Sequence, residues 1–151
     1  MFGQQLCTRE EKEYISDAAN EDVWEKYVFI SALAGMTCLC RSNVGAISST
    51  SEGRDLMLRL AYECMTAAKH AGHPMRPHAL QEITSRLTDV DSKLTSSMFR
   101  DMLSGGRIES DHLVGDMLAR LRQGDAKADA VMLQAALCHL QCYNIARSAK
   151  L

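Results

Sequence analysis

The sequence predicts an all-α protein, with residues 1–151 folded as a single domain of six or seven helices. Only 5% of the residues are aromatic and only two are proline, whereas nine are methionine, a composition that favours helices over sheets. No segment alternates apolar and polar residues with the period of two that marks a half-buried strand. A chain of this length usually forms one domain and buries a sizeable core.

The first two helices are predicted from their start signals. Thr8 and Glu11 have the spacing of a capping box, which predicts a helix from about residue 9 to residue 19. Asn20, followed by two acidic residues, predicts the start of a second helix, because asparagine is a good N-cap and acidic side chains suit the first turn. Gly35 is the predicted end of this second helix.

The later helices are separated by glycine and proline. The region 36–51 is predicted to be less regular, with a turn at 42–45. Gly72 and Pro74 end the helix that follows it, and Pro77 suits the first turn of the next one. The helices predicted beyond this irregular region span about residues 51–71, residues 77–87, a short segment opening at Asp91-Ser92 or Thr95 and ending at Gly105-Gly106, residues 109–123, and residues 129–146.

Charge and hydropathy argue against several classes of protein. The net charge is −2 and the basic residues are scattered, so the sequence predicts no nucleic-acid partner. No apolar run approaches the roughly 20 residues that span a bilayer, and the first residues lack an apolar signal core. No Gly-x-Gly-x-x-Gly follows a predicted strand, so no cofactor site is predicted in this chain. A cytoplasmic protein without a membrane partner is expected.

The six cysteines do not have the spacing of a structural zinc site. Cys38 and Cys40 are separated by one residue, and Cys138 and Cys142 by three, whereas a zinc knuckle uses C-x2-C. Cys138 and Cys142 share one helix face among leucines, which predicts buried thiols of the core.

Three histidines surround a glycine–proline turn. His70, His73 and His78 are more typical of a polar turn than of a ligand set, so no metal site is predicted. A helical metal-binding protein that uses these histidines and the cysteine pairs is the least favoured alternative.

The stretch Ser96–Asp111 is the most unusual part of the chain. It contains a Ser-Ser pair, a Gly-Gly break and the charged residues Arg107, Glu109 and Asp111 within a short space. Such a segment is either a capped corner between two helices or a corner that carries polar groups into a site.

Together with its neighbours, this stretch resembles the C-terminal domain of ketopantoate reductase (2-dehydropantoate 2-reductase). That family carries Ser-Ser-Met-x-x-Asp, a short break, Thr-Glu-x-Asp and then a glycine, and it has a Trp-x-Lys motif at the start of its helical domain. The resemblance extends over about residues 14–146. The matching residues here are Trp24, Lys26, Ser96, Ser97, Met98, Asp101, Glu109, Asp111 and Gly115, with Ile108 in place of the threonine.

The resemblance implies the substrate-binding and dimerisation half of a two-domain, NADP-dependent 2-keto acid reductase. The cofactor would belong to an N-terminal Rossmann half, so this chain alone is expected to bind neither NADPH nor NADH and to be inactive. A homodimer is also implied.

The resemblance further assigns roles to three residues. It implies that Lys26 is the catalytic general acid on the keto oxygen, and that Ser97 and Glu109 bind the substrate. An ammonium stabilises charge that develops on a carbonyl oxygen and supplies a proton, and a nearby carboxylate keeps it charged. Lys26 is therefore expected about 3 to 6 Å from Glu109, in direct or one-water reach.

Some positions differ from the family pattern and leave a second interpretation open. The family has asparagines one and two turns after the lysine, where this sequence has Ile30 and Ala34, and Ala128 stands about where the family has a proline. The identity of the 2-keto acid therefore stays open. The alternative is a non-catalytic helical dimerisation or ligand-binding module, in which Lys26 is solvated, and Ser97 and Glu109 only stabilise helix ends.

Overall fold

The structure is a computed structural model that describes residues 9–149, with side chains from Ala19 onward. Seven α-helices build the fold of these residues. Residues 9–149 contain no strand, which confirms the all-α prediction and its count of helices. A π-helical turn, Asp111–Gly115, runs directly into the sixth helix. The helices are α1 Arg9–Cys40, α2 Val44–Ser48, α3 Gly53–His70, α4 Pro77–Leu87, α5 Ser97–Leu103, α6 Asp116–Gly124 and α7 Val131–Ala149.

Helix α3 is the centre of the core. It packs against α1, α6 and α7, and its apolar residues recur with the helical period, so that one broad stripe of the helix is covered. The fully buried members of this stripe are Met57, Leu60, Ala61, Cys64, Ala67 and Ala68.

Helix α1 is continuous, so the predicted break between two helices at Asn20 and the predicted end at Gly35 are wrong. A Cβ atom added at Gly35 would lie 2.9 Å from Leu60 Cδ2 and 3.4 Å from Ala136 Cβ. The glycine therefore lets α3 and α7 approach α1 closely, and this packing outweighs the helix-breaking tendency of glycine. Thr8 of the predicted capping box lies outside the described residues.

The predicted irregular region after α1 contains a short helix, α2. Asn43 caps it, because its Oδ1 accepts a hydrogen bond from the backbone N–H of Ala46 at 2.8 Å. The backbone N–H of Gly45 donates to the carbonyl oxygen of Ser92 at 2.8 Å. A Cβ atom at Gly45 would lie 2.5 Å from that oxygen, so this contact between α2 and the loop before α5 requires glycine.

The helices after α3 lie close to their predicted positions. Helix α4 begins at Pro77 and ends at Leu87 as predicted, and α7 begins two residues later and ends three residues later than predicted. Helix α5 begins at Ser97, later than predicted, because Ser96 is its N-cap and accepts from the backbone N–H of Phe99 at 3.0 Å. Gly105, with a φ of 77°, follows α5 and ends it in the left-handed conformation.

The prediction that Cys138 and Cys142 are buried core thiols is wrong, since both are exposed. Helix α7 is apolar on several sides, so its sequence alone did not determine which face the core would cover. The side that packs on α1 and α3 carries the buried residues Met132, Leu133, Ala136 and Leu140.

A buried carboxylate joins α3 to the start of α7. Glu63 is only 6% exposed, and its Oε1 and Oε2 accept from the backbone N–H groups of Met132 at 3.0 Å and Leu133 at 2.7 Å. Burial raises the pKa of Glu63 above its ordinary value, although the two hydrogen bonds act in the opposite direction. The carboxylate thereby satisfies two N–H groups that have no partner within the helix.

One helix within residues 9–149, α1 over Ala19–Cys40, is long and apolar enough to cross a membrane by length and composition. The uncharged run in this segment, between Lys26 and Arg41, is 14 residues long, so the segment reaches the length of a span only together with the charged residues that precede it. The segment is weak evidence for a membrane span, since half of it is buried inside the protein, as in the core helix of a soluble protein.

Candidate functional site

A cavity of about 390 Å³ lies between α1, the start of α5 and the corner that precedes the π-helical turn. It is hereafter called the corner cavity. One side of it is apolar, formed by Ile30, Leu33, Ala34, Ile108 and Leu113. The polar groups around it come from Thr95, Ser97, Arg100, Asp101, Arg107 and Glu109.

The two serines of the Ser-Ser pair have different tasks. Ser96 is 5% exposed, caps α5 and shares a 2.7 Å hydrogen bond with the Thr37 hydroxyl, which ties the start of α5 to α1. Ser97 is the first residue of α5, is exposed and lines the corner cavity. The first serine therefore fixes the position of the second.

Helix α7 holds the Gly-Gly corner in place. The Tyr143 hydroxyl donates to the carbonyl oxygen of Gly106 at 2.7 Å, and Arg147 Nε donates to that of Gly105 at 2.7 Å. Asn144 makes two hydrogen bonds to the backbone of Ile108, of 2.9 Å from its Nδ2 and 3.3 Å to its Oδ1. These contacts place the neighbouring residues at the corner cavity.

Ser97 and Glu109, both predicted as substrate-binding residues, line the same cavity. The Glu109 side chain is 64% exposed, and its Oε2 lies 3.7 Å from His112 Nε2. Two segments that are separated along the chain by the glycine break thus bring a hydroxyl and a carboxylate to one cleft.

Lys26, the predicted general acid, lies outside the residues that line the corner cavity. It is exposed and borders a neighbouring pocket of about 210 Å³ together with Glu25 and Glu82. Lys26 is one helical turn before Ile30, about 6 Å along the axis of α1. No ion pair joins it to Glu109 in the described part of the chain, so the expected direct contact is not formed, and a water-bridged contact stays a prediction.

The carboxylates near Lys26 have other cationic partners. Arg76 forms two hydrogen bonds with Glu25, of 2.6 and 2.8 Å, and a further one with Asp22. Glu82 lies 3.9 Å from Arg86. Among residues 19–149, Lys26 therefore has no ion-pair partner.

Two arginines at the corner cavity were not predicted as site residues. Arg100 and Arg107 are exposed, and neither pairs with a carboxylate in the described residues. Arg100 donates to Thr95 Oγ1 at 3.0 Å. The only sequence signal for Arg107 as a site residue was its position two residues before Glu109. The cavity therefore carries two guanidinium groups and the carboxylates of Asp101 and Glu109 beside its apolar side.

The tryptophan of the Trp-x-Lys motif has a packing role. The Trp24 ring stacks on the His73 ring with centroids 5.2 Å apart, and the Arg120 guanidinium lies 5.0 Å from the Trp24 ring centroid. His73 Nδ1 is 2.8 Å from Glu21 Oε1.

Within residues 19–149, no group of three or more His, Cys, Asp or Glu side chains is arranged to hold a metal ion.

Comparison with known proteins identifies a matching family model and similar structures. The family model described as ketopantoate reductase PanE/ApbA C terminal matches residues 18–139. The chain is 33% identical over 129 residues to the uncharacterized oxidoreductase YkpB of Bacillus subtilis, covering 85% of this chain and 42% of that relative.

Two solved structures share the fold of this chain at low sequence identity. The dimeric ketopantoate reductase from Staphylococcus aureus matches with a TM-score of 0.73 and 19% identity, over 85% of this chain and 44% of that one. A PanE/ApbA family ketopantoate reductase from Ralstonia eutropha JMP134 matches with a TM-score of 0.70 and 20% identity, over 83% and 41%. The chain thus spans less than half the length of the relatives it matches.

Proposed function

Because the chain belongs to the ketopantoate reductase C-terminal domain family, we propose that it is the substrate-binding and dimerisation half of an NADP-dependent 2-keto acid oxidoreductase. The observation that carries this proposal is the corner cavity, which Ser97 and Glu109 both line although they belong to segments on either side of the glycine break. The cavity presents hydroxyl, carboxylate and guanidinium groups beside an apolar side, as a small keto acid requires.

Three residues carry the proposed chemistry. The Ser97 hydroxyl binds the substrate by a hydrogen bond, and Glu109 is a second polar partner. Lys26, one turn away from the cavity along α1, donates a proton to the keto oxygen as negative charge develops there. Its freedom from an ion pair within residues 19–149 supports this role, because the ammonium can turn toward a bound substrate.

The residues of this chain do not fit a dinucleotide. A pyrophosphate is normally cradled by a glycine-rich turn between a strand and a helix, and residues 9–149 contain no strand. NADP would therefore be held by a Rossmann half outside the described residues, and this chain would supply only the substrate side of the site.

We also propose that the protein is a homodimer in the cytoplasm. None of the five cysteines in the described part of the chain forms a disulfide, which suits a reducing compartment. A structural neighbour is described as dimeric, and α7 leaves Val131 and Ile145 exposed by 53% and 68%. A second copy would cover such apolar surface.

A non-catalytic module remains the second candidate, and one observation favours it. Lys26 does not line the corner cavity, and the cavity wall nearest to it carries Ile30 and Ala34, which offer no polar group. A fold that kept the cleft and lost the chemistry would show the same features.

The effect of Lys26→Ala separates the two candidates. In a form of the protein that also carries a Rossmann half, we expect the substitution to lower kcat for 2-keto acid reduction by about 10²- to 10⁴-fold. The rate is measured by NADPH oxidation, and circular dichroism should show unchanged helix content. The control is Lys69→Ala, which removes an exposed lysine at the end of α3. Absence of 2-keto acid reduction in the wild type would favour the non-catalytic module, whereas equal measurable rates for wild type and Lys26→Ala would show that Lys26 is not the general acid.

A further inference from the structure

We propose that the corner cavity selects 2-keto acids whose side chain is compact, apolar and free of hydroxyl groups, and that Arg107 binds their carboxylate. This inference rests on the proposed function, since it names the substrate class of the same cavity. It follows from the apolar side of the cavity, from the charges around it and from its size.

The apolar side of the cavity offers no partner to a hydroxyl group. Ile30, Leu33 and Ala34 lie on one face of α1, with the spacing of residues that are neighbours on a helix. Ile108, 3% exposed, and Leu113 complete this side. A substrate hydroxyl placed here would lose its water without gaining a hydrogen bond, whereas a methyl group would be favourably buried.

The carboxylate of the ligand is assigned to the guanidinium of Arg107. Arg107 is exposed and forms no ion pair within the described residues, while Arg100 is already bonded to Thr95 Oγ1. A planar guanidinium matches a carboxylate in a bidentate geometry. Glu109 and Asp101 also border the cavity, and their negative charges would repel the ligand carboxylate from their own positions. Arg107 is therefore the cation best placed to bind it.

The size of the cavity favours a short substrate. Its volume of about 390 Å³ lies near the lower end of the range for small-molecule sites, roughly 300–1,000 Å³. A keto acid with a branched side chain of four carbons fits inside such a space.

Two ligands that differ by a single hydroxyl group test the inference. The probes are 3,3-dimethyl-2-oxobutanoate and 2-dehydropantoate, which has the same skeleton with one methyl replaced by hydroxymethyl. Their dissociation constants for the 151-residue chain are measured by calorimetry, and methyl NMR shifts of Ile30 and Ile108 locate the bound ligand. We expect the apolar acid to bind roughly 10- to 100-fold more tightly, because a buried hydroxyl without a partner is disfavoured by about that factor.

Variants of two cavity residues make the test specific. Arg107→Ala should weaken both acids at least about tenfold, because it removes a charge-assisted bidentate contact. Arg122→Ala, which removes an exposed arginine of α6 outside the cavity, is the matched control and should leave both constants unchanged. Ile30→Asn adds an amide to the apolar side at a position that is 37% exposed, and should shift the preference toward 2-dehydropantoate.

Each contrary result has a distinct meaning. If 2-dehydropantoate binds the wild-type chain as tightly as the apolar acid or more tightly, the inference is overturned while the proposed function stands. If Arg107→Ala binds both acids like wild type, the assignment of the carboxylate is wrong. If neither acid binds and no cavity methyl shifts, the proposed function itself fails, and the inference fails with it.

Discussion

Glu63 shows how a single buried carboxylate joins two helices. Each of its oxygens accepts one backbone N–H at the start of α7. Glu63→Gln keeps one acceptor but turns an NH2 group toward the second N–H. We expect it to lower the free energy of unfolding by about 1–3 kcal/mol, measured by urea denaturation.

The control for Glu63 is Glu82→Gln on α4. Glu82 is 65% exposed and makes only a 3.9 Å pair with Arg86, so its replacement should change the free energy of unfolding by at most about 0.5 kcal/mol. Equal stability of Glu63→Gln and wild type would show that the carboxylate is not needed at the start of α7.

Asp116 connects α6 to α1 through the Tyr27 hydroxyl, which donates to its Oδ2 at 2.5 Å. Burial acts to raise the pKa of Asp116, but the hydrogen bonds from Tyr27 and Arg120 outweigh it, and the pKa lies below its ordinary value. A carboxyl group with a lowered pKa in the folded state adds stability above its unfolded pKa of about 3.9, and this stability is lost as pH falls through the folded value.

This pH dependence is testable with Tyr27→Phe, which removes the donor. At pH 7 we expect the variant to lose about 1 kcal/mol of unfolding free energy relative to wild type. The difference should shrink as pH falls below about 4 and through the lowered pKa of Asp116 in the folded wild type. Urea denaturation at several pH values measures it, and a difference that stays constant from pH 7 to pH 3 would contradict the role assigned to the ionised carboxylate.

At the candidate site, the sequence predicted residues that belong to a family motif and missed a residue whose role depends on its lack of an ion-pair partner. Ser97 and Glu109 belong to a recognisable pattern, and both line the corner cavity. The sequence could not show that Arg107 lacks a carboxylate partner, because the pairing of long side chains depends on contacts between distant segments. The contact predicted between Lys26 and Glu109 depends on the same kind of pairing between distant segments.

At the scale of helices, the close packing at Gly35 gives a prediction about side-chain size. Gly35→Ala gains about 1 kcal/mol in helix propensity, which a small shift of the Leu60 side chain offsets, so its stability should remain near wild type. Gly35→Val should lower the free energy of unfolding by about 1–3 kcal/mol, because the larger side chain overpacks the α1–α3 contact. Thermal and urea denaturation measure both effects.

A double-variant cycle checks the cause of the Gly35 effect. Leu60→Ala removes the side chain that a Cβ atom at position 35 would meet at 2.9 Å. The cost of Gly35→Val should therefore be smaller in the Leu60→Ala background than in wild type. An equal cost in both backgrounds would mean that the helix backbone, rather than the contact with Leu60, disfavours valine.

The observed helix boundaries show which local sequence signals predict a helix start or end correctly. Pro77 is a reliable start signal because it satisfies a local backbone requirement at the first turn. The N-cap of α5 is Ser96, whereas the sequence predicted a start at Asp91-Ser92 or Thr95. Asn20 and Gly35 give similar local signals but lie within the continuous helix α1, and at Gly35 the packing against α3 and α7 outweighs the signal. The buried face of α7 was likewise unpredictable, since apolar residues occur on more than one side of that helix.

At the scale of the whole molecule, the outer face of α7 gives the prediction of a homodimer. Its exposed residues Val131, Ala135, Cys138, Cys142 and Ile145 follow spacings of four and three, the repeat of a helix–helix seam. None of these five side chains is charged, so a second copy of the chain could pack on this seam without like-charge repulsion. We expect the chain to elute as a dimer with twice its mass of 16.7 kDa, as measured by light scattering.

Charge placed on the seam should separate the two copies. The variant with both Val131→Glu and Ile145→Glu buries two carboxylates per copy in the apolar interface and should be monomeric at concentrations where wild type is dimeric. Val90→Glu is the control, because Val90 is 55% exposed in the loop after α4, away from the seam. If wild type is a monomer at high concentration, the homodimer is excluded. If the double variant stays dimeric, the copies associate through another face.

The seam is in α7, the helix that also holds the Gly-Gly corner through Tyr143 and Arg147. Association of two copies would therefore immobilise the helix that positions the corner cavity.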